Sequence, residues 1–149
     1  MRFVIQIVDE ASVSVDGSVC GAIGKGYCIF AGVGEGDTRE TADKMIRKLL
    51  GLRIFKDDEG KINLSIRDVG GSILMISQFT LYADCRKGNR PNFIRCAPPE
   101  GASALFDYCV EKLREEISVV ETGVFGAHMS VALTNDGPFT VILDSADLK

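Results

Sequence analysis

The stretch Ser72-Ile73-Leu74-Met75-Ile76-Ser77-Gln78-Phe79-Thr80-Leu81 restricts the folds open to this chain more than any other. It begins as an apolar run, the pattern of a strand covered on both faces. A chain with such a strand needs a layer of packing on each side of it. Polar groups then appear where burial should continue. Under strict alternation Gln78 and Thr80 follow Leu74 and Ile76 onto one face, while Ser77 and Phe79 follow Ile73 and Met75 onto the other. A buried hydroxyl or amide left unpaired costs about 1–3 kcal/mol, so these groups are paired internally, offered to a ligand, or carried into solvent where the strand ends. The residues alone leave those alternatives open.

The remaining chain supplies the cover. Residues 2–8 are rich in Val, Ile and Phe and predict a strand. Residues 11–15 and 18–23 flank Asp16-Gly17, a dipeptide that supplies positive φ for a tight hairpin, so the opening reads as three antiparallel strands. Residues 26–33 are apolar almost throughout, as a central strand is. Asp37 or Thr38 caps a helix whose Ala42, Met45, Ile46, Leu49 and Leu50 form one stripe, with Gly51 at its end. Residues 53–55 are strand-like, Asp57-Asp58-Glu59-Gly60 is a turn, and residues 62–69 fit no single pattern. Residues 99–117 predict a second helix, with Ala102, Leu105, Phe106, Cys109, Val110 and Leu113 on the side suited to a sheet face. Residues 119–122, 129–133 and 139–143 predict the closing strands.

The 149 residues suit one domain, large enough to bury about 68–70% of the surface of its unfolded chain. Lys and Arg number 17 against 21 Asp and Glu, a net charge of −4 that argues against sequence-independent coating of nucleic acid. A local basic patch is still able to grip one end of an RNA. Such a patch would lie in the loop of residues 82–101, where Arg86, Lys87, Arg90 and Arg95 read either as phosphate contacts or as solvated loop residues. The five cysteines include no C-x-x-C pair, so they predict reduced thiols in the cytoplasm rather than a disulfide framework. No apolar run approaches the length of a membrane span and no secretory leader is recognisable. His128 with Cys85 or Cys96 would make a thiol hydrolase. His and Cys do not stand at metal-ligand spacing, and no cofactor site is expected.

A second stretch sharpens the first. Asn135-Asp136-Gly137-Pro138-Phe139-Thr140 stands between apolar segments and by itself reads as a turn. Together, SQFTL at residues 77–81 and NDGPFT at residues 135–140 resemble the two signature motifs of the D-aminoacyl-tRNA deacylases, also called D-tyrosyl-tRNA deacylases. The resemblance extends over essentially the whole chain, from Met-Arg-Phe-Val-Ile-Gln at its start to Thr122-Gly123-Val124-Phe125-Gly126. It implies an α/β fold with mainly antiparallel strands in layered, barrel-like sheets, two packing helices, and a single domain over residues 1–149.

The resemblance also implies a function: hydrolysis of the ester between a D-amino acid, and also glycine, and the 3′ end of tRNA, without metal or cofactor. Ser77, Gln78, Phe79 and Thr80 would line the site, with backbone N–H groups near Phe79 and Thr80 stabilising the oxyanion. Thr80 as a nucleophile is the second possibility, with the 2′-hydroxyl of the RNA assisting in the first. A cis Gly137-Pro138 bond would turn two carbonyls toward the substrate and reject L-amino acids, with Asn135 beside it and Phe125 and Met129 walling the pocket. The family inserts this loop into the partner's site, which implies a two-fold homodimer. This chain departs from the family at Ile7, where an Arg often stands and anchors the loop. The rival expectations are an editing module for mischarged L-aminoacyl-tRNA and a non-catalytic tRNA-binding module.

Overall fold

The structure is a computed structural model that describes residues 1–149. Strand β1 (Arg2–Val15) runs into β2 (Ser18–Ile23) through Asp16 and Gly17, whose φ values of 50° and 79° are the positive pair the turn requires. Strand β3 (Gly26–Gly32) follows, then α1 (Arg39–Gly51), β4 (Arg53–Lys56), β5 (Ile62–Ser65) and β6 (Ser72–Ser77). The chain closes with α2 (Pro99–Arg114), β7 (Val120–Thr122) and β8 (Ser130–Asp144). The main sheet is ordered β2-β1-β3-β6-β7, with β8 on the other edge of β1. Pairing is antiparallel along β1, while β6 is parallel to both β3 and β7. Parallel neighbours need long crossovers, and α1 with the β4–β5 hairpin supplies one, α2 the other. Residues 62–69, which fit no single pattern in the sequence, divide into β5 and a turn.

Two strands are longer than their composition implies. Residues 2–8 and 11–15 form one strand, because pairing with β8 continues across the exposed Asp9 and Glu10 with only a register shift. Residues 129–133 and 139–143 likewise belong to one strand, and the segment that reads as a turn is an excursion within it. Val8 faces Asn135 and Gln6 faces Thr140, so Ile7 alone is opposed by residues 136–139.

Strand β6 is covered on both faces. Ile73 and Met75, fully buried, join a core with Met45, Leu49 and Leu50 of α1 and Cys109, Val110 and Leu113 of α2. Leu74 and Ile76 point into a second cluster with Val8, Ala11, Val13, Ile23 and Cys28, closed over by Met129, Val131 and Leu133. Each such side chain contributes about 1.5–3 kcal/mol on leaving water, so β6 is the anchor that both layers share. Helix α1 is fixed at its start by Thr38, which exchanges side chain to backbone bonds with Thr41 at 3.3 Å each way.

Candidate active site at the end of β6

Strand β6 stops at Ser77 because the chain changes course there. The Gln78 N–H donates to the Ala31 carbonyl at 2.8 Å, and residues Phe79–Tyr82 then wind into a 3₁₀ turn. The alternation expected through Leu81 therefore ends early. Ser77, Gln78 and Phe79, which strict alternation divides between two faces, all line one cavity of about 290 Å³. Ala31 and Val33 contribute from β3 and just beyond it, Ala102 and Phe106 from α2, and residues 125–129 form the far wall. Phe125 and Met129 both stand in that wall. Gly123 makes room for it, since Met129 Sδ occupies the position a Cβ there would take.

The lining is mostly apolar, with Ser77, Gln78 and His128 as its polar side chains and no carboxylate, Lys, Arg or Cys. Its chemical resource is the backbone. The first bond of the 3₁₀ turn runs from the Leu81 N–H to the Gln78 carbonyl at 3.3 Å, so the N–H groups of Phe79 and Thr80 precede it and find no partner within the turn. Two adjacent unpaired donors, the first on a residue that lines the cavity, are groups of the kind that stabilise negative charge on a carbonyl oxygen.

Thr80 itself does not line the cavity. It is exposed, and its hydroxyl accepts from Gln78 Nε2 at 2.5 Å. The Cys–His pairing is not assembled either, for His128 lines the cavity and neither Cys85 nor Cys96 does. The Cys96 thiol, its pKa raised by burial, donates instead to the Phe79 carbonyl at 3.3 Å. No group of three or more His, Cys, Asp or Glu stands where it would hold a metal ion.

Gly137 and Pro138 lie away from this cavity in the same chain. Both are exposed, and the peptide bond between them is cis. Asn135 braces the excursion: its Oδ1 accepts from the Phe139 N–H at 2.8 Å, and its Nδ2 reaches Thr140 Oγ1 at 3.4 Å. Ile7, opposite, is buried in the core beneath the helices.

The four loop cations do not converge. Asp84 holds Arg86 by Nε at 2.9 Å and Nη2 at 2.6 Å, and those bonds keep the Asp84 carboxyl well below the usual carboxylate range. Lys87 and Arg90 are exposed, and Arg95 lines a second, polar cavity with Arg2, Lys44 and Tyr82. The loop is less open than its length implies, for Asp84 bridges Asn92 and Cys96 bridges Gly34. Sequence reasoning missed Ala31, Ala102, Phe106 and Ala127. The only available signal was small residues within apolar segments, which ordinary core packing also produces.

The model of the D-Tyr-tRNA(Tyr) deacylase family matches residues 4–144. A D-aminoacyl-tRNA deacylase of Desulfitobacterium hafniense is 57% identical over 145 residues, covering 97% of each chain. That of Thermomicrobium roseum is 56% identical over 149 residues, covering 100% of this chain and 97% of its own. Among solved structures, one titled c-Myc DNA Unwinding Element Binding Protein superposes with a TM-score of 0.92 at 40% identity, over 97% of this chain and 98% of that one. A probable eukaryotic D-amino acid tRNA deacylase shares the fold with a TM-score of 0.81 at 20% identity, over 95% and 97%. With a family model spanning nearly its full length and relatives more than half identical, the chain belongs to the D-Tyr-tRNA(Tyr) deacylase family.

Proposed function

We propose that the cavity at the end of β6 is where this chain, a D-aminoacyl-tRNA deacylase by family, cleaves the ester joining a D-amino acid to the terminal ribose of tRNA. The observation that carries the assignment is the pair of backbone donors left without a partner in the 3₁₀ turn, Phe79 N–H and Thr80 N–H, the first on a residue that lines a cavity whose Ser77 and His128 share no hydrogen bond. An aminoacyl ester is already activated toward water, so the protein has to hold it, polarise its carbonyl and shield the oxyanion. The ribose 2′-hydroxyl next to the ester assists the attack. The products are free D-amino acid and reusable tRNA.

Chiral selection falls to Gly137 and Pro138. Their backbone carbonyls take the α-amino group and leave no room for an L side chain, while a D side chain points away and glycine has none to reject. Because the two residues do not line the cavity of their own chain, the filter is supplied by a second copy, in a two-fold dimer. Asn135 gives the loop the rigidity that a filter made of backbone needs, in a chain with Ile7 at the position of the family's Arg. Residues 1–149 work as one domain, in the cytoplasm.

Hydrolysis of matched D-tyrosyl-, L-tyrosyl- and glycyl-tRNA, with EDTA and thiol-alkylation controls, tests the reading. Loss of the D-ester and the glycyl ester with the L-ester spared, in all conditions, is expected. Equal cleavage of D and L overturns the filter and points to general editing. Binding of tRNA without any turnover overturns the enzyme reading altogether.

A further inference from the structure

The 3₁₀ turn Phe79–Tyr82 separates two cavities. Phe79 lines the apolar one, and Tyr82, three residues on, lines a polar one of about 480 Å³. At about 2.0 Å rise per residue, the turn carries the chain about 6 Å between them, close to the step from one nucleotide to the next. The polar cavity continues into a third hollow, since Lys44 and Leu148 line both. Across the two run Arg95, Lys44, Arg47 and Lys48, the last three at i, i+3 and i+4 on one exposed side of α1.

The anions here are already engaged, or are few. Asp37 pairs with the terminal amino group at 2.5 Å and Asp144 with Arg2 at 2.5 Å, which leaves Glu35 and Asp147 among the side chains of the lining. Lys44 touches Glu40 at 3.4 Å, an exposed contact of little strength. Arg95, Arg47 and Lys48 form no ion pair. In a chain of net charge −4, a continuous line of cations leading away from the catalytic cavity is not explained by average composition.

We propose that this line, Arg95 to Lys44 to Arg47 and Lys48, is a track for the backbone phosphates of the tRNA acceptor end. The proposal rests on the reading that the terminal aminoacyl nucleotide occupies the cavity at the end of β6. The nucleotides before it pass over the 3₁₀ turn and along α1. The contacts are with phosphates alone, so they add affinity common to all tRNAs and no sequence preference.

Binding of uncharged tRNA to the double variant Arg47→Ala, Lys48→Ala, across a range of salt concentrations, reads the track independently of catalysis. Alanine preserves the helix. The expected result is about tenfold weaker binding at low salt, and a salt slope smaller by about 1.4, from two phosphate contacts at about 0.7 each on a single strand. Cleavage of 3′-D-tyrosyl-adenosine, which has no phosphate, is measured alongside and reads the catalytic assignment. A loss confined to tRNA supports the track. Unchanged tRNA affinity and slope overturn it, whatever the adenosine ester does. So does an equal loss in the control Lys56→Ala, Lys61→Ala, which removes the same charge from the β4–β5 hairpin. Failure of the wild type to cleave either ester counts against the catalytic reading, while the affinity comparison still decides the track.

Discussion

Thr80 is the residue at which two mechanisms part. A nucleophilic hydroxyl has to face the bound ester with a base beside it, whereas Thr80 Oγ1 accepts a bond from Gln78 Nε2 and stands outside the cavity lining. In the backbone mechanism Thr80 contributes its N–H, which any residue but proline retains. Thr80→Ala is therefore expected to keep kcat within about fivefold of wild type, while loss of a true nucleophile costs several orders of magnitude. Single-turnover cleavage of D-tyrosyl-tRNA separates these outcomes. Cys96 belongs to the same comparison, since its thiol holds the Phe79 carbonyl and does not line the cavity. Cys96→Ala is expected to remain active, and abolition of activity would reinstate the thiol hydrolase.

At the scale of elements, the site depends on how the ends of β1 and β8 are tied to the 3₁₀ turn. Arg2 makes the connection, donating from Nε and Nη2 to Asp144 Oδ2 at 2.8 and 2.5 Å and from Nη1 to the Leu81 carbonyl at 2.7 Å. Burial raises the Asp144 carboxyl pKa, but the Ala146 N–H and Arg2 bonds outweigh it and hold the group below its ordinary value. A carboxyl depressed in the folded state stabilises the fold above its unfolded pKa of about 3.9, and that stability is lost as pH falls through the folded value. Asp144→Asn is expected to cost about 1–2 kcal/mol at pH 7, the lower part of the range for charged hydrogen bonds because Arg2 is partly exposed. As pH falls from about 3.9 through the lower folded value the two proteins should converge, as chemical denaturation at several pH values would show. A gap that stays constant into acid would mean that the substituted amide fails for steric reasons unrelated to charge.

The elements themselves are mostly legible in the sequence, because periodicity reports burial directly. The stripe of α1, the Asp16-Gly17 hairpin and the double cover of β6 appear where their patterns put them. Sequence misleads wherever the backbone overrides side-chain type. Asp9 and Glu10 look like a break but sit within a ladder whose hydrogen bonds do not depend on side chains. The 3₁₀ turn after Gln78 carries no Gly or Pro to announce it, so three residues that alternation would separate converge on one cavity. The cations at residues 86–95 look like a unit in sequence, yet Arg86 is tied to Asp84 and Arg95 turns toward α1. No local pattern foretells that Arg95 shares a cavity with Lys44, which comes from a different element.

At the scale of the molecule, the cavity of one chain is not lined by that chain's own Gly137 and Pro138. On the outer side of β8, Thr140 is exposed and Ile142 is 65% exposed, next to the exposed Gly137 and Pro138. If the site is shared, defects in its two halves must complement each other. Ala127→Trp, in the wall between Phe125 and Met129, fills the cavity, and Gly137→Val distorts the loop at a φ of +140° that L residues rarely adopt. Each variant alone is expected to lose cleavage of D-tyrosyl-tRNA. After mixing equal amounts and allowing subunits to exchange, half the dimers are mixed, and each mixed dimer has one site carrying both defects and one carrying neither. Activity should recover to about a quarter of wild type under two-fold symmetry. Were each chain to build its whole site alone, no mixed dimer would contain an intact site, and the mixture would do no better than the average of its two components.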